Sequence, residues 1–420
     1  MLKSASIIFA LISVCLVITI LSVTTLVFVL EKTKPNWCNY SKGCNMKKLF
    51  VIAAVTLASG AAFASKARVS ALGNGAHLSD AQTIFQNPAD MTLWGDWATF
   101  EMGTAGGPFT YTPNAANTAT TGHEGGLVRS AGDARWGFYM GHKSPTASLS
   151  RSNAWTGGAG TILSEENPIE VFYAQKADLS WGASMFYSNS DKKSSKLKQD
   201  TMGLRVGARA AMWDAWLNVG LSNNAKDESN AASIKEIKSN SAFKLGGGYS
   251  FDSLYVYGSY ASSGFKGSAA GTDTSDVSGS QMAVGVIDTM KKDGTDFFYG
   301  VSYQMDSYKN KTGTETKSDA TYMPVVIGIE ADANSWMVLR ASVTQNVVLG
   351  SIKDETGIIA AGAATTEADT WNNSTTVATG AGIKFNKFTL DGSIGTSTAG
   401  TRGVIDASNL LANASLTYMF

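Results

Sequence analysis

The sequence predicts an all-β fold: a transmembrane antiparallel β-barrel of about 16 strands, with about 14 as the alternative. A short N-terminal plug segment and a hydrophobic N-terminal helix or signal region precede the predicted barrel. Three observations lead to this prediction. Apolar residues alternate with small or polar ones along extended stretches, short and long connections alternate, and only 16% of the 420 residues are charged. Soluble globular domains have about 25% charged residues.

The alternation of side chains has a period of two, which places successive side chains on opposite faces of a strand. Leu179–Ser188 and Phe297–Asp306 show this pattern clearly. Such stretches are about ten residues long, as a tilted strand crossing a bilayer requires, whereas soluble strands cluster near about five or six. A soluble β-sandwich also alternates, but the strand length and the sparsely charged polar face favour a membrane barrel.

The connections alternate in length, as periplasmic turns and outer loops do in such barrels. Long polar loops are predicted near 189–198, 224–239, 262–279, 307–318, 348–375 and 398–408. The predicted strands are 95–104, 133–142, 147–155, 168–177, 179–189, 199–209, 213–223, 241–251, 254–262, 280–289, 296–306, 319–330, 336–347, 376–385, 388–397 and 409–420. Pro324 lies within one of them, where it cannot donate a ladder hydrogen bond.

Aromatic residues occur where the two membrane interfaces are expected. Trp181, Trp213, Phe251 and Phe297 fall near the predicted short-turn rim, and Tyr187 and Tyr303 fall near the opposite rim. These positions predict two aromatic girdles, as in an integral bacterial outer-membrane barrel that contacts lipid.

Two hydrophobic segments precede the body of the chain. Residues 7–30 are 24 residues without a charge, long enough to span a bilayer as a helix. Residues 46–64 form a complete secretory signal peptide: a basic start, an apolar stretch, and Ala62 and Ala64 before a cleavage site at Ser65. Two interpretations of residues 1–45 stay open, a translation start at Met46 and an N-terminal membrane anchor.

Processing at Ser65 changes the composition of the protein. Residues 1–64 contain six basic residues, one acidic residue and all three cysteines, so a chain starting at Ser65 has a net charge of −5. The predicted regions are then the extension 1–45, the signal peptide 46–64, a plug or periplasmic segment 65–93, and the barrel 94–420.

Two short segments resemble known families. Leu416–Phe420, with Tyr418 and the terminal Phe420, resembles the C-terminal assembly signal of Gram-negative outer-membrane proteins, which implies recognition by the barrel-assembly machinery. Arg68–Ala76 and Asp80–Met91 resemble the segment before the first strand in the long-chain fatty-acid transporter superfamily, and Asp90 stands where that family has Gly. That resemblance implies a plug inside the barrel. The mature chain is also similar to major porin-like outer-membrane proteins of some Gram-negative predatory bacteria.

The sequence offers little support for an enzyme, a metal centre or a cofactor. The mature chain has no cysteine, and its three histidines, His77, His123 and His142, do not have metal-ligand spacing. Nucleic-acid binding is also excluded, because there is no excess of basic residues to neutralise phosphates.

Charged residues on the face opposite to the lipid are candidates for lining a pore. The candidates are Arg135, Arg205, Arg209, Lys244, Arg340, Lys384, Glu101, Glu170 and Asp391. If the arginines are unpaired at mid-depth, they favour anions. If they pair with the acids, they stiffen the wall instead.

The sequence favours a porin-like channel for passive diffusion of small hydrophilic solutes and ions. The alternatives are a fatty-acid-transporter-like barrel for hydrophobic compounds and a structural or adhesive surface barrel. The sequence does not determine the oligomeric state, and a homotrimer is the candidate assembly.

Overall fold

The computed structural model describes residues 65–104, 121–144, 165, 167–239, 242–311, 315–349, 352–354, 367–368, 374–398 and 411–420. The predicted extension 1–45 and signal peptide 46–64 lie outside these residues. A helix, α1 (Lys66–Ala71), and two 3-10 helices (Thr83–Phe85 and Pro88–Leu93) precede the strands. No helix in the described part of the chain is long and apolar enough to cross a membrane.

The strands share one antiparallel sheet. They are β1 (Trp97–Thr104), β2 (Thr121–Ala131), β3 (Ala134–Met140), β4 (Ile169–Gln175), β5 (Ser180–Lys192), β6 (Leu197–Arg209), β7 (Trp213–Asp227), β8 (Lys235–Ser239), β9 (Ala242–Phe251), β10 (Leu254–Ala269), β11 (Thr272–Lys292), β12 (Thr295–Asn310), β13 (Thr316–Asn334), β14 (Met337–Val348), β15 (Ile352–Asp354), β16 (Glu367–Ala368), β17 (Ser374–Phe385), β18 (Phe388–Thr398) and β19 (Leu411–Met419).

The sheet closes on itself, because β1 pairs with β2 on one side and with β19 on the other. Strands β8 and β9 both lie between β7 and β10 and together act as one wall strand. Strands β15 and β16 form a short pair that extends from the loop end of β13. The described residues therefore form a closed wall of sixteen strands, as predicted.

Short turns join the strands at the end of the barrel that holds the C-terminus, which we call the turn end; the opposite end is the loop end. Asp293 and Gly294 between β11 and β12 both have positive φ, +48° and +76°, as a two-residue type I′ turn requires. At this end the Phe420 backbone N–H donates to Asp96 O, and the Arg129 guanidinium covers the Phe420 ring at 4.5 Å. The last residue therefore contacts the start of the first strand.

One predicted strand, 147–155, lies outside the described residues. Strand β3 pairs directly with β4, from Ala134–Gln175 to Met140–Ile169. The strand that completes the sixteen is β2, whose two adjacent glycines obscure its alternation. Gly126 leaves the space that the Tyr139 ring fills, since a Cβ there would lie 2.1 Å from the ring.

Several predicted loops are wrong, because strands continue through them. Strands β10 and β11 pair as far as Ala269 and Thr272, across the predicted loop 262–279. Strands β12 and β13 pair as far as Asn310 and Thr316. These extensions are rich in Ser, Thr, Lys and Asp, so hydropathy does not reveal them, whereas ladder hydrogen bonds to the neighbouring strand hold them in place.

Pro324 lies in β13 and interrupts one ladder. Pairing between β12 and β13 is continuous up to Val301–Val325 and resumes at Gln304–Tyr322. On the other side Pro324 still pairs with Asn346 of β14. The wall therefore accommodates the missing N–H of Pro324 by a local loss of pairing with β12, while the pairing with β14 is kept.

The outer face of the wall carries large apolar side chains. Phe100 is 70% exposed, and Met185, Val284, Val301 and Leu339 are also exposed. Trp181, Trp213, Phe251, Tyr187 and Tyr303, predicted for the girdles, are likewise exposed. Such an apolar surface is unfavourable in water and favourable in lipid, and the closed sheet leaves no open edge in the bilayer. The protein is an integral outer-membrane barrel.

Val301 tests the lipid-facing assignment. Val301→Arg should lower the free energy of unfolding in lipid by about 2–4 kcal/mol, because the guanidinium would enter the hydrocarbon region. Denaturant unfolding in lipid vesicles measures this, with Val301→Leu as the control that should differ little. An equal stability of the Arg variant and the wild type would contradict the assignment.

Candidate functional site

The N-terminal segment 65–93, which we call the plug, lies inside the wall. Ser65 Oγ donates to Asp391 Oδ2 of β18 at 3.1 Å. Arg68 Nε donates to Glu330 Oε2 of β13 at 2.8 Å. Near its other end, Asp90 accepts from Arg209 Nε of β6 at 2.7 Å. The plug thus crosses the lumen and bonds to three separated parts of the wall.

Small wall residues make room for the plug. At Gly182 of β5 a Cβ would lie 2.6 Å from Pro88 O, and at Gly207 of β6 it would lie 1.9 Å from Asn87 Oδ1. At Gly380 of β17 it would lie 2.8 Å from the Ala71 Cβ. The alternation places small residues on the inner face. At these positions the missing side chain lets the plug lie close to the wall.

Two apolar clusters join the plug to the wall. Ile84, Phe85 and Met91 are buried with Tyr139 and Phe172 of the wall. The Phe85 ring lies edge-on to Tyr139, with ring centroids 4.7 Å apart.

On the other side of the lumen, Leu72 packs with Ile287 and Phe298, and the His77 ring lies 4.5 Å from the Phe298 ring. Burial of these side chains favours the seated plug.

The nine predicted pore-lining residues all lie on the inner face, but Arg205, Arg209 and Arg340 are paired. Arg205 Nε donates to Glu170 Oε1 at 2.7 Å, and its Nη1 donates to Phe85 O of the plug at 2.6 Å. Arg340 Nη1 donates to Asp391 Oδ1 at 2.6 Å. The condition for anion preference is therefore not met. The charges pair with one another and with the plug.

Glu101 accepts the Lys66 backbone N–H of the plug at 3.0 Å, and three further candidates make other contacts. Arg135 donates to the backbone oxygens of Gly132 and Ala134 at the turn end. Lys384 lies 3.5 Å from Asp332 at the same end. Lys244 lies 5.5 Å from the Trp216 ring.

Glu330 was not among the sequence candidates, although it bridges plug and wall. It accepts both Nε and Nη2 of Arg68, at 2.8 and 2.9 Å, and also accepts Nε of Arg340. Glu330 has the same alternation phase along β13 as Val326 and Gly328, so the sequence could have predicted that it faces inward. Its partners could not be predicted, because they depend on how the plug is seated.

Burial changes the protonation of two plug side chains. Burial raises the pKa of Asp80 to about 7, although the Arg68 guanidinium acts in the opposite direction. Burial lowers the pKa of His77 to about 4, and the Arg68 guanidinium lowers it further. His77 is therefore neutral near pH 7, which suits its contact with the Phe298 ring.

The inner face toward the loop end carries an apolar cluster among polar side chains. Tyr308, Ala320, Tyr322 and Val348 form one buried cluster. Further apolar side chains that face inward and are buried at this end are Leu197, Ile237, Phe265 and Val277, and buried polar side chains at this end include Gln199, Asn223, Ser275 and Ser318. The inner face, predicted to be polar, therefore also contains apolar groups at this end.

Within the described ranges, no three His, Cys, Asp or Glu side chains are grouped in a way that could hold a metal ion.

Gly182 tests the seating of the plug. Gly182→Val should displace the plug, because its side chain would overlap Pro88, and should raise KCl conductance in planar bilayers several-fold. Gly392→Val is the matched control, since no atom lies within 4 Å of a Cβ at Gly392. An unchanged conductance in both variants would mean that the plug does not limit the pore.

Arg340 tests the charge network. Arg340→Leu should destabilise the barrel by about 3–5 kcal/mol, because Glu330 and Asp391 would lose a buried partner. Lys384→Leu, which removes a more exposed pair with Asp332, should cost less than about 1 kcal/mol. Chemical unfolding in detergent compares the two, and equal losses would contradict the assigned importance of the network.

Comparison with known proteins finds similar solved structures at low sequence identity. No protein-family model matches the sequence, and no curated protein matches it. Among solved structures, the chain is similar to the CymD monoaromatic hydrocarbon channel, with 13% identity, 84% of this chain and 97% of that chain covered, and a TM-score of 0.41. It is similar to the Pseudomonas putida toluene transporter TodX, with 12% identity, 85% and 98% covered, and a TM-score of 0.37. It is similar to a porin, with 9% identity, 77% and 99% covered, and a TM-score of 0.35.

Proposed function

We propose that the protein is a plugged outer-membrane channel that admits small apolar compounds. The plug carries this proposal: a barrel for free diffusion of hydrophilic solutes needs an open aqueous lumen, and here residues 65–93 cross it. The apolar cluster on the inner face near the loop end supports the same proposal, because Tyr308, Tyr322 and Val348 offer dispersion contacts to an apolar molecule. We therefore favour a channel for hydrophobic compounds over a diffusion porin.

The second candidate remains a channel for small hydrophilic solutes. The observation in its favour is the polar contact surface between plug and wall. Ser65, Arg68 and Asp90 all use hydrogen bonds or ion pairs there, and movement of the plug would expose these charges to water. A channel of this kind would conduct only after the plug has moved.

The remaining roles are proposed for both candidates. The protein acts without catalysis and without a cofactor, and outer-membrane lipid covers its outer face. The barrel-assembly machinery recognises Tyr418 and Phe420 before the strands close.

Two measurements separate the candidates. Planar bilayers measure KCl conductance, and uptake of toluene against arabinose is measured in a Gram-negative host that lacks its own barrels for both compounds. The proposal expects low wild-type conductance and faster toluene uptake without faster arabinose uptake. Large steady conductance with arabinose uptake would support the second candidate instead.

Val348 tests the apolar inner face. Val348→Asn should lower toluene uptake several-fold, because an amide would interrupt the apolar cluster with Tyr322. Val348→Ile keeps the apolar character and should retain most of the uptake. Heat-modified gel mobility checks that both variants form the barrel, and equal uptake by the two would contradict a role for this surface.

A further inference from the structure

Ser65 is fully buried at the point where the plug meets the wall. It is 0% exposed, its hydroxyl donates to Asp391 Oδ2 at 3.1 Å, and the same oxygen accepts the Arg68 backbone N–H at 3.1 Å. Ser65 is therefore the N-cap of α1 and a wall contact at once. It is also the residue that follows the Ala62–Ala64 cleavage signature.

A second buried carboxylate lies one residue away. Glu101 of β1 is 1% exposed and accepts the Lys66 backbone N–H at 3.0 Å and Gln82 Nε2 at 2.7 Å. The Tyr139 and Thr99 hydroxyls also donate to it, at 3.4 and 3.5 Å, so all four donors are neutral. The Lys66 side chain pairs with Glu124 at 3.5 Å. Among the described residues, no cationic side chain lies within ion-pair distance of Glu101.

Acids exceed bases around this end of the plug. The carboxyl groups counted there are Glu101, Glu124, Glu330 and Asp391, and the permanently cationic side chains are Lys66, Arg68 and Arg340. Asp80 is left out of this count, because burial raises its pKa to about 7. His142 also lies 3.3 Å from Glu124 and adds a cation only when it is protonated. A buried charge without a partner is costly, so this cluster favours a further cation.

We infer that this cation is the α-ammonium group of Ser65, and that processing of the chain between Ala64 and Ser65 completes the seat of the plug. Water hydrolyses the peptide bond, the Ala64 carbonyl becomes a carboxylate, and the Ser65 nitrogen leaves as an amine that binds a proton. This nitrogen precedes the Lys66 nitrogen by one residue, so it lies within about 7 Å of Glu101. At that range two charges in a buried site still interact appreciably.

Export of the chain is therefore linked to closure of the lumen by the plug. An unprocessed chain has a neutral amide at this position and leaves Glu101 without its cation. Cleavage by a protease of Ala-x-Ala specificity creates the charge, and the plug then binds the wall through both Asp391 and the new ammonium. This inference does not depend on which compounds the channel admits.

Periodate oxidation provides the first test. Periodate cleaves a serine side chain only when that serine carries a free α-amino group. Protein purified from outer membranes should have an intact mass that begins at Ser65, should resist periodate when folded, and should lose the corresponding mass after unfolding. A chain that begins elsewhere, or an N-terminal serine that reacts equally fast when folded, would overturn the inference.

A double-mutant cycle provides the second test. Three residues, Gly-Ser-Gly, inserted between Ala64 and Ser65 move the ammonium away while cleavage after Ala64 is retained. Hydrogen exchange at Lys66–Leu72 should then accelerate on the order of a hundredfold, because one buried charge pair is broken. In a Glu101→Gln background the same insertion should change exchange less than about threefold.

Intact mass and heat-modified gel mobility verify processing and barrel formation in each variant of the cycle. Equal acceleration in both backgrounds would show that the ammonium does not interact with Glu101. Such a result would overturn the inference and leave the proposed transport function untouched.

Discussion

The whole structure depends on the absence of hydrogen-bond partners in lipid. Every backbone N–H and C=O in the hydrocarbon region must be paired within the wall, so the sheet has to close. Pairing of β1 with β19 achieves this, and the contact of Phe420 with Arg129 and Asp96 lies at the turn end of that seam. The local loss of pairing at Pro324 is tolerated because it affects one side of one strand.

Closure creates a second constraint inside the wall. A barrel of sixteen strands encloses more space than its own side chains fill. The plug occupies this space near Gly182, Gly207 and Gly380, where the wall has no side chain. The lipid-facing surface and the plug are therefore two consequences of one closed sheet.

Charge pairing determines how the plug is held. Arg68 and Arg340 share Glu330, while Arg340 also reaches Asp391, to which Ser65 donates. Removing Arg340 would leave the buried Asp391 without its cationic partner, so the network favours one seated position. Burial of Phe85 and Leu72 strengthens the binding of the plug to the wall. These apolar contacts define the position of the plug less strictly than the charge pairs do.

The sequence predicted the strand number and the inner phase of the charged residues, because both follow from a period of two. It did not predict β2, since Gly125 and Gly126 leave no apolar alternation to detect. It also predicted a strand at 147–155, which lies outside the described residues, while β3 pairs directly with β4. Strand extensions such as β10 and β11 were taken for loops, because their pairing depends on a neighbour rather than on hydropathy.

For this protein, local chemistry by itself determined the membrane barrel, the outer apolar face and the presence of inward charges such as Arg205 and Asp391. Only the tertiary structure decided that these charges are paired, that Glu330 joins two arginines, and that residues 65–93 cross the lumen. The physical reason is distance along the chain: Ser65 and Asp391 are 326 residues apart, and no local pattern records a contact that the closed barrel creates.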